Sequence, residues 1–139
     1  MLVRLIYASR AVGAMDSELL ESILHRSRQN NPAIGVTGVL CYSGGIFVQV
    51  LEGSRSAVSS LYNVIVRDPR HVKIELLSFE EISERHFADW TMGQVNMAKI
   101  NHGVLLKYSA HSEFNPFEMS GQAILLLLDD LTAMAAISK

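Results

Sequence analysis

A chain of 139 residues is long enough for one core-bearing domain and too short for two comfortable ones. Hydrophobic residues at 49% against 19% charged give the balance of a folded globular protein and exclude disorder. Twelve Lys and Arg against fourteen Asp and Glu leave a formal charge of −2 with no basic run, so the electrostatic footprint of a nucleic-acid binder is missing. The N-terminus, MLVRLIYASR, has neither the h-region nor the cleavage site of a signal peptide. The longest apolar run, Ala123 to Leu128, stops at Asp129-Asp130, far short of the ~20 residues a membrane helix needs. A soluble, cytoplasmic protein is expected, with no nucleic-acid or membrane partner. Cys41 is the one cysteine and has no Cys or His at metal-ligand spacing, so it reads as a small core residue and no metal site is expected.

In chain order, Leu2 to Ala8 alternates and is rich in branched and aromatic residues, which predicts a strand with Val3, Leu5 and Tyr7 on one face. Asp16 is an N-cap with Glu18 in the first turn, and Leu19, Leu20, Ile23 and Leu24 form a helical stripe. This helix is expected to stop at Asn30-Asn31-Pro32, because the residue before a proline avoids the α region. Gly35 to Tyr42 and Ile46 to Glu52 flank Ser43-Gly44-Gly45 and read as an antiparallel hairpin. Its second strand, FVQVLEG, sets Gln49 among apolar residues, sharing a face with Phe47 and Leu51 while Val48 and Val50 point the other way. Both faces read as buried, and an unpaired amide group there would cost roughly 1–3 kcal/mol. Taken alone, Gln49 is satisfied by a backbone carbonyl or a buried water.

From the N-cap Ser54, Val58, Leu61, Tyr62 and Ile65 fall at i, i+3, i+4 and i+7, a second amphipathic helix. It is expected to close at Arg67-Asp68-Pro69-Arg70-His71, with cationic side chains near its end. Val72 to Ile82 reads as a fourth strand and the stretch Trp90 to Val95 as a short fifth. Beyond Met97 a polar connector with Pro116 leads to a helix from about Glu118 to Ile137, whose apolar positions are Ile124, Leu127, Leu128, Leu131 and Met134. Leu125 and Leu126 flank that stripe as spare apolar residues, for self-association or a partner surface or for a wider docking face. The order predicts an α+β fold: a ferredoxin-like βαββαββ sandwich with a mixed, mostly antiparallel five-stranded sheet, two helices on one face and the C-terminal helix on the other.

Tyr7 with Ser9 at the end of the first strand, Asn31 after the first helix, then GVTGVL, FVQVLEG, DPRH and Trp90-Thr91-Met92 occur in one order on one topology. That set resembles a BLUF domain, a blue-light sensor that binds FAD. The resemblance spans roughly Met1 to Val95 and implies a sensor domain over residues 1–95, with residues 96–139 as a helical extension packing on the sheet.

The resemblance implies that the isoalloxazine lies between the two helices with Ile23 and Ile65 on its faces. It further implies that Asn31, with Asn30 second to it, bonds the ring's polar edge. Gln49 would bridge the flavin and Tyr7, and Arg70 and His71 would sit by the ribityl and phosphate end. Val64 stands where some relatives carry a basic residue, which leaves FMN or riboflavin open beside FAD. Tyr7, with a phenol pKa near ~10, is neutral at physiological pH and would lose an electron together with its proton. Gln49 would then rearrange by rotation or tautomerisation, and Ser9, Trp90 and Met92 complete the photoactive set. The chain would turn over no substrate, would signal to a separate effector protein, and would self-associate. Two other classes are carried forward: a flavin-dependent redox enzyme, and a ferredoxin-like interaction domain without flavin. Against the first, no G-x-G-x-x-G dinucleotide fingerprint is present.

Overall fold

The computed structural model describes residues 1–14, 16–95, 100–134 and 137–138. Strand β1 (Leu2–Ala11) runs through the middle of a mixed sheet with β2 (Thr37–Ser43), β3 (Ile46–Ser54), β4 (His71–Ile82) and β5 (Gly93–Val95). A two-residue strand, β6 (Ile137–Ser138), extends the expected five, giving the order β4-β1-β3-β2-β5-β6. Among the described residues only the β2–β5 pairing is parallel; β1 lies antiparallel between β3 and β4, with Tyr7 opposite Gln49. Gly44 and Gly45 turn the β2–β3 hairpin with φ of 57° and 81°, the positive pair that a tight hairpin requires and that glycine adopts without strain.

The alternation of β1 and β3 sends side chains to two separate cores. Val3, Leu5, Tyr7, Phe47 and Leu51 face one layer, where helices α1 (Ser17–Ile34) and α2 (Arg55–Ile65) cover them with Leu20, Ile23, Leu24, Val58 and Leu61. Ile6, Ala8, Val48 and Val50 face the other, covered by α4 (Gly121–Ala133) through Ile124, Leu125, Leu127, Leu128 and Leu131. The helix caps follow the sequence: Asp16 accepts from the Leu19 N–H, Ser54 from Ala57 and Ser120 from Ala123.

Several boundaries differ from the expectations. Helix α1 continues through Asn31 and Pro32 to Ile34, and ends because Gly35 takes the left-handed conformation (φ 70°) and its N–H reaches the carbonyls of Asn31 and Pro32. The pre-proline restriction is a preference, and a glycine C-cap three residues on outweighs it. Helix α2 ends at Ile65 with no basic residue in its last turn; Arg70 pairs with Asp68 instead, and His71 opens β4. The fifth strand begins only at Gly93, so Trp90 and Met92 lie in the preceding loop and not at i and i+2 of a strand. A seven-residue helix, α3 (His102–Tyr108), capped by Asn101, stands in the stretch read as a polar connector, being too short to show a period. The last helix starts at Gly121, after a 3₁₀ turn at Pro116–Glu118, and ends at Ala133. Met134 at its C-cap is exposed, against its expected place in the stripe, while Leu125 is buried, as the wider docking face has it, and Leu126 is exposed, as a free apolar surface has it. Met97 and the other residues 96–99, where the sensor–extension boundary was placed, fall outside the described residues.

Candidate functional site

Between α1, α2 and the sheet lies a cleft of about 810 Å³, within the range of small-molecule sites. Its walls are apolar: Ile23 from α1, Leu61 and Ile65 from α2, and Leu40 and Phe47 from the sheet. Polar groups converge at its floor. Because Tyr7 and Gln49 are register partners on β1 and β3, their side chains stand together on the helix-facing side. The Tyr7 hydroxyl donates to Gln49 Oε1 at 2.6 Å, and Gln49 Nε2 reaches the Met92 sulfur at 3.4 Å. Both partners are buried, at 4% and 6% exposure. Burial, reinforced by charge on Tyr62 and Asp68, pushes the Tyr7 phenol well above its ordinary value, so the hydroxyl holds its proton. A charge relay at this floor must therefore take the proton along with any electron that leaves Tyr7.

At one end Asn31, buried at 3% exposure, donates through Nδ2 to the Thr91 carbonyl at 3.3 Å, which leaves its own carbonyl oxygen directed by a fixed amide. Asn30 lines the same cleft from an exposed position on α1. At the other end Arg70 is folded onto Asp68, its Nε 2.9 Å from Oδ1. That contact holds the Asp68 carboxyl below its usual range and the Arg70 guanidinium above its own. His71 bridges Ser9 Oγ (2.7 Å from Nδ1) and the Ile65 carbonyl (2.6 Å from Nε2). A carbonyl accepts only, so Nε2 is the ring's donor there, and in the neutral ring Nδ1 accepts the Ser9 hydroxyl proton.

Tyr7, Ile23, Asn30, Asn31, Gln49, Ile65, Arg70 and His71 thus line one cleft. Ser9 stands behind His71, fully buried, and Met92 lies beneath Gln49 with no exposure. Trp90 does not join them. It stacks on Phe87 at 5.6 Å and packs into the opposite core, because the loop around Thr91 is not extended and strand alternation does not apply to it. Val64 lines the cleft and is 58% exposed.

Arg26, Ser27, Arg67 and Asp68 also line it, and the sequence reading passed over them. Arg26 and Ser27 were accessible by spacing, since Ile23, Arg26, Ser27 and Asn30 fall at i, i+3, i+4 and i+7 on one helix face. Arg67 had no such signal, because it lies beyond the end of α2 and only the turn brings it in.

A flat, mostly apolar ring with one polar edge fits this donor and wall set: Ile23 and Ile65 line the slot together with the amides of Asn31 and Gln49 and the cations Arg26, Arg67 and Arg70. A family profile described as "BLUF: Sensors of blue-light using FAD" matches residues 2–93. The chain is 37% identical over 92 residues to the photoactivated adenylate cyclase subunit beta of Euglena longa, a match covering 66% of this chain and 11% of that one. It is 33% identical over 87 residues to the blue light- and temperature-regulated antirepressor BluF of Escherichia coli, covering 63% of this chain and 22% of that one. The chain thus spans only about a tenth to a fifth of these curated relatives.

Among solved structures, BlsA in its photo-activated state superposes with a TM-score of 0.85 at 33% identity, covering 94% of both chains. The dark-state structure of BlrB, a BLUF protein, superposes with a TM-score of 0.79 at 33% identity, covering 96% of both. The cleft sits wholly inside a match that takes in well over half of the sequence, and the chain belongs to the BLUF family, sensors of blue light using FAD.

Proposed function

We propose that this chain is a blue-light photoreceptor that holds FAD in the cleft between α1 and α2 and passes its state to a separate protein. The observation that carries the reading is the buried chain Tyr7 Oη–Gln49–Met92 Sδ at the cleft floor, in which an amide joins a proton donor to a soft acceptor. When bound, the flavin supplies the blue-light absorption and the electron acceptor. Ile23 and Ile65 would hold the two faces of its ring, Asn31, with Asn30 second to it, would bond the ring edge, and Gln49 would face the ring from the sheet; all five line the cleft. Arg70 and His71, with Arg26 and Arg67, take the phosphate end. These basic groups favour a phosphate-bearing flavin, FAD or FMN, over riboflavin even though Val64 offers no charge.

With flavin bound as the electron acceptor, Tyr7 would be the donor, and because burial disfavours any charge on it, its proton would pass along the 2.6 Å bond to Gln49 Oε1 and come back by the same bond when the electron returns. The amide then rotates or tautomerises, exchanging its donor and acceptor ends, and the Met92 sulfur loses or regains its N–H. Tyr7 recovers its electron and proton, and the rearranged amide is the stored signal. Ser9 fixes the His71 ring.

Residues 1–95 sense and residues 96–139 transmit, in a cytoplasmic, self-associating protein; no described helix is long and apolar enough to cross a membrane. The chain acts as a sensor and not as an enzyme. Its activity toward partners is proposed to be regulatory, as the relatives' names describe for a cyclase subunit and an antirepressor. The test is a difference spectrum of the purified yellow protein under blue light. A small, reversible red shift of the flavin band is expected; a full bleach favours the redox-enzyme alternative, and a colourless protein that takes up no FAD favours the flavin-free interaction domain.

A further inference from the structure

The loop that leads into β5 is held carbonyl by carbonyl. Trp90 accepts from the Gly38 N–H at 3.0 Å, Thr91 from Asn31 Nδ2 at 3.3 Å, and Met92 from Arg28 Nε at 3.0 Å. Arg28 and Asn31 are three residues apart and share one face of α1, so a single helix grips two successive carbonyls. Thr91 is exposed, and beyond Met92 the backbone is tied to β2 only through Val39 opposite Gly93 and Leu40 opposite Gln94. Arg28 does not line the cleft. It is nevertheless one residue's backbone away from the sulfur that takes the Gln49 amide.

We propose that Arg28 is a positioning residue for the exchange at Gln49: by holding the Met92 carbonyl it keeps the methionine sulfur beneath the amide. The inference rests on the photosensor reading above. Asn31 is committed in that reading to the ring edge as well as to Thr91, whereas the Arg28 contact serves the loop alone. Return of the amide to its resting orientation needs the sulfur back in place. A loop already pinned has little freedom left to lose, so return is fast with the clamp and slow without it.

Two variants of nearly equal length test this. In Arg28→Gln the side-chain N–H₂ is bonded to Cδ, as Nε is in arginine, so a donor stays at the same point without the charge. In Arg28→Met a methyl takes that place and nothing donates. Hydrogen exchange of the backbone amides of residues 91–94 is measured on flavin-free protein, and thermal recovery of the red-shifted band on flavin-loaded protein. Arg28→Met is expected to speed the exchange and to slow recovery about threefold or more, and Arg28→Gln to stay within about twofold of the parent on both, as one modest hydrogen bond dictates. With Met92→Ala already present, Arg28→Met is expected to slow recovery no further, because the sulfur it positions is gone.

Unchanged or faster recovery in Arg28→Met overturns the proposal. So does recovery in Arg28→Gln as slow as in Arg28→Met, or the same slowing on the Met92→Ala background, since either marks a general effect of charge or packing. If the parent protein shows no red-shifted band, the photosensor reading fails, and the exchange measured without flavin then decides alone whether Arg28 pins the loop.

Discussion

Gln49 and Glu52 lie three residues apart on β3, and both are polar groups that the fold takes out of water, with partners for each polar side-chain atom. Glu52, with no exposure, accepts from Arg4 Nε at 2.9 Å and from the backbone N–H groups of His86 and Phe87 at 2.9 and 2.7 Å. Removing its charge leaves Arg4, itself 7% exposed, with only the half-exposed Glu80. Glu52→Gln is therefore expected to cost about 3 kcal/mol in urea unfolding, while breaking the solvated Arg55–Glu81 pair with Glu81→Gln should cost under about 1 kcal/mol. Equal costs would show that burial is not what sets the value of Glu52.

At Gln49 the expected effect is functional. Tyr7→Phe keeps the ring and deletes the donor, and Gln49→Leu keeps bulk and deletes the amide. Both should retain flavin, seen as yellow colour after gel filtration, and lose the red-shifted state; Asn31→Ala should instead weaken flavin retention. Cys41 provides a pH test. Burial pushes its thiol up from 9.0 to about 12, so the fold favours the protonated form. That contribution is whole below pH 9 and is lost as pH rises from 9 toward 12, by about 1.4 kcal/mol per unit. Stability measured between pH 9 and 10, below the range where Tyr7 joins in the same sense, should fall less steeply in Cys41→Ala than in the parent.

Among the elements, the β2–β3 hairpin and α4 are each seated by a glycine whose side-chain space is already taken. A Cβ on Gly38 would stand 1.8 Å from the Val50 carbonyl oxygen, a backbone atom that cannot step aside. Gly38→Ala should thus unseat the hairpin that carries Gln49, with flavin uptake lost alongside stability. At the start of α4 a Cβ on Gly121 would meet Ser78 Cβ at 2.5 Å, on the strand face beneath. Gly121→Ala should lift that end of α4 and lower the melting temperature, and Ser78→Gly in the same chain should restore part of it; failure of that rescue would mean the contact is not what limits the docking. Strand β4, at the sheet edge, carries the charges Lys73, Glu75, Glu80 and Glu81 and two register shifts against β1, devices that blunt an exposed edge.

For the whole molecule, one sheet serves two cores, and the C-terminal layer is as much a part of the fold as the layer of α1 and α2. Five α4 side chains bury against Ile6, Ala8, Val48 and Val50. Further ties run from His86 to Asp129 and from Tyr108 and Lys107 to Asp130. Ending the chain at Val95 uncovers that apolar face. The shortened protein is expected to aggregate or to lose cooperative unfolding, followed by light scattering and circular dichroism; a monomer with parental stability and an unchanged light response would show that this layer is neither cover nor output.

What the sequence determined by itself was periodicity and local chemistry. Alternation in FVQVLEG placed Gln49 with Phe47 and Leu51 and sent Val48 and Val50 to the other side. Asp16, Ser54 and the Gly44-Gly45 turn marked element starts and the hairpin bend. Each of these depends on neighbours a few residues away, so the information is present in the string. The tertiary structure decided what depends on distant partners or on backbone that does not repeat. Pro32 stays within α1 because Gly35 closes the helix, and Trp90 and Met92 part to opposite layers because their loop is gripped by Gly38, Arg28 and Asn31 from elsewhere in the chain. Leu125 is buried and Leu126 exposed because α4 docks on a sheet face whose width no helical period specifies. Arg67 reaches the cleft only through the turn after α2. Contacts across 60 or more residues, such as Arg28 to Met92 and Ser9 to His71, follow from chain packing in three dimensions, and no local pattern encodes them.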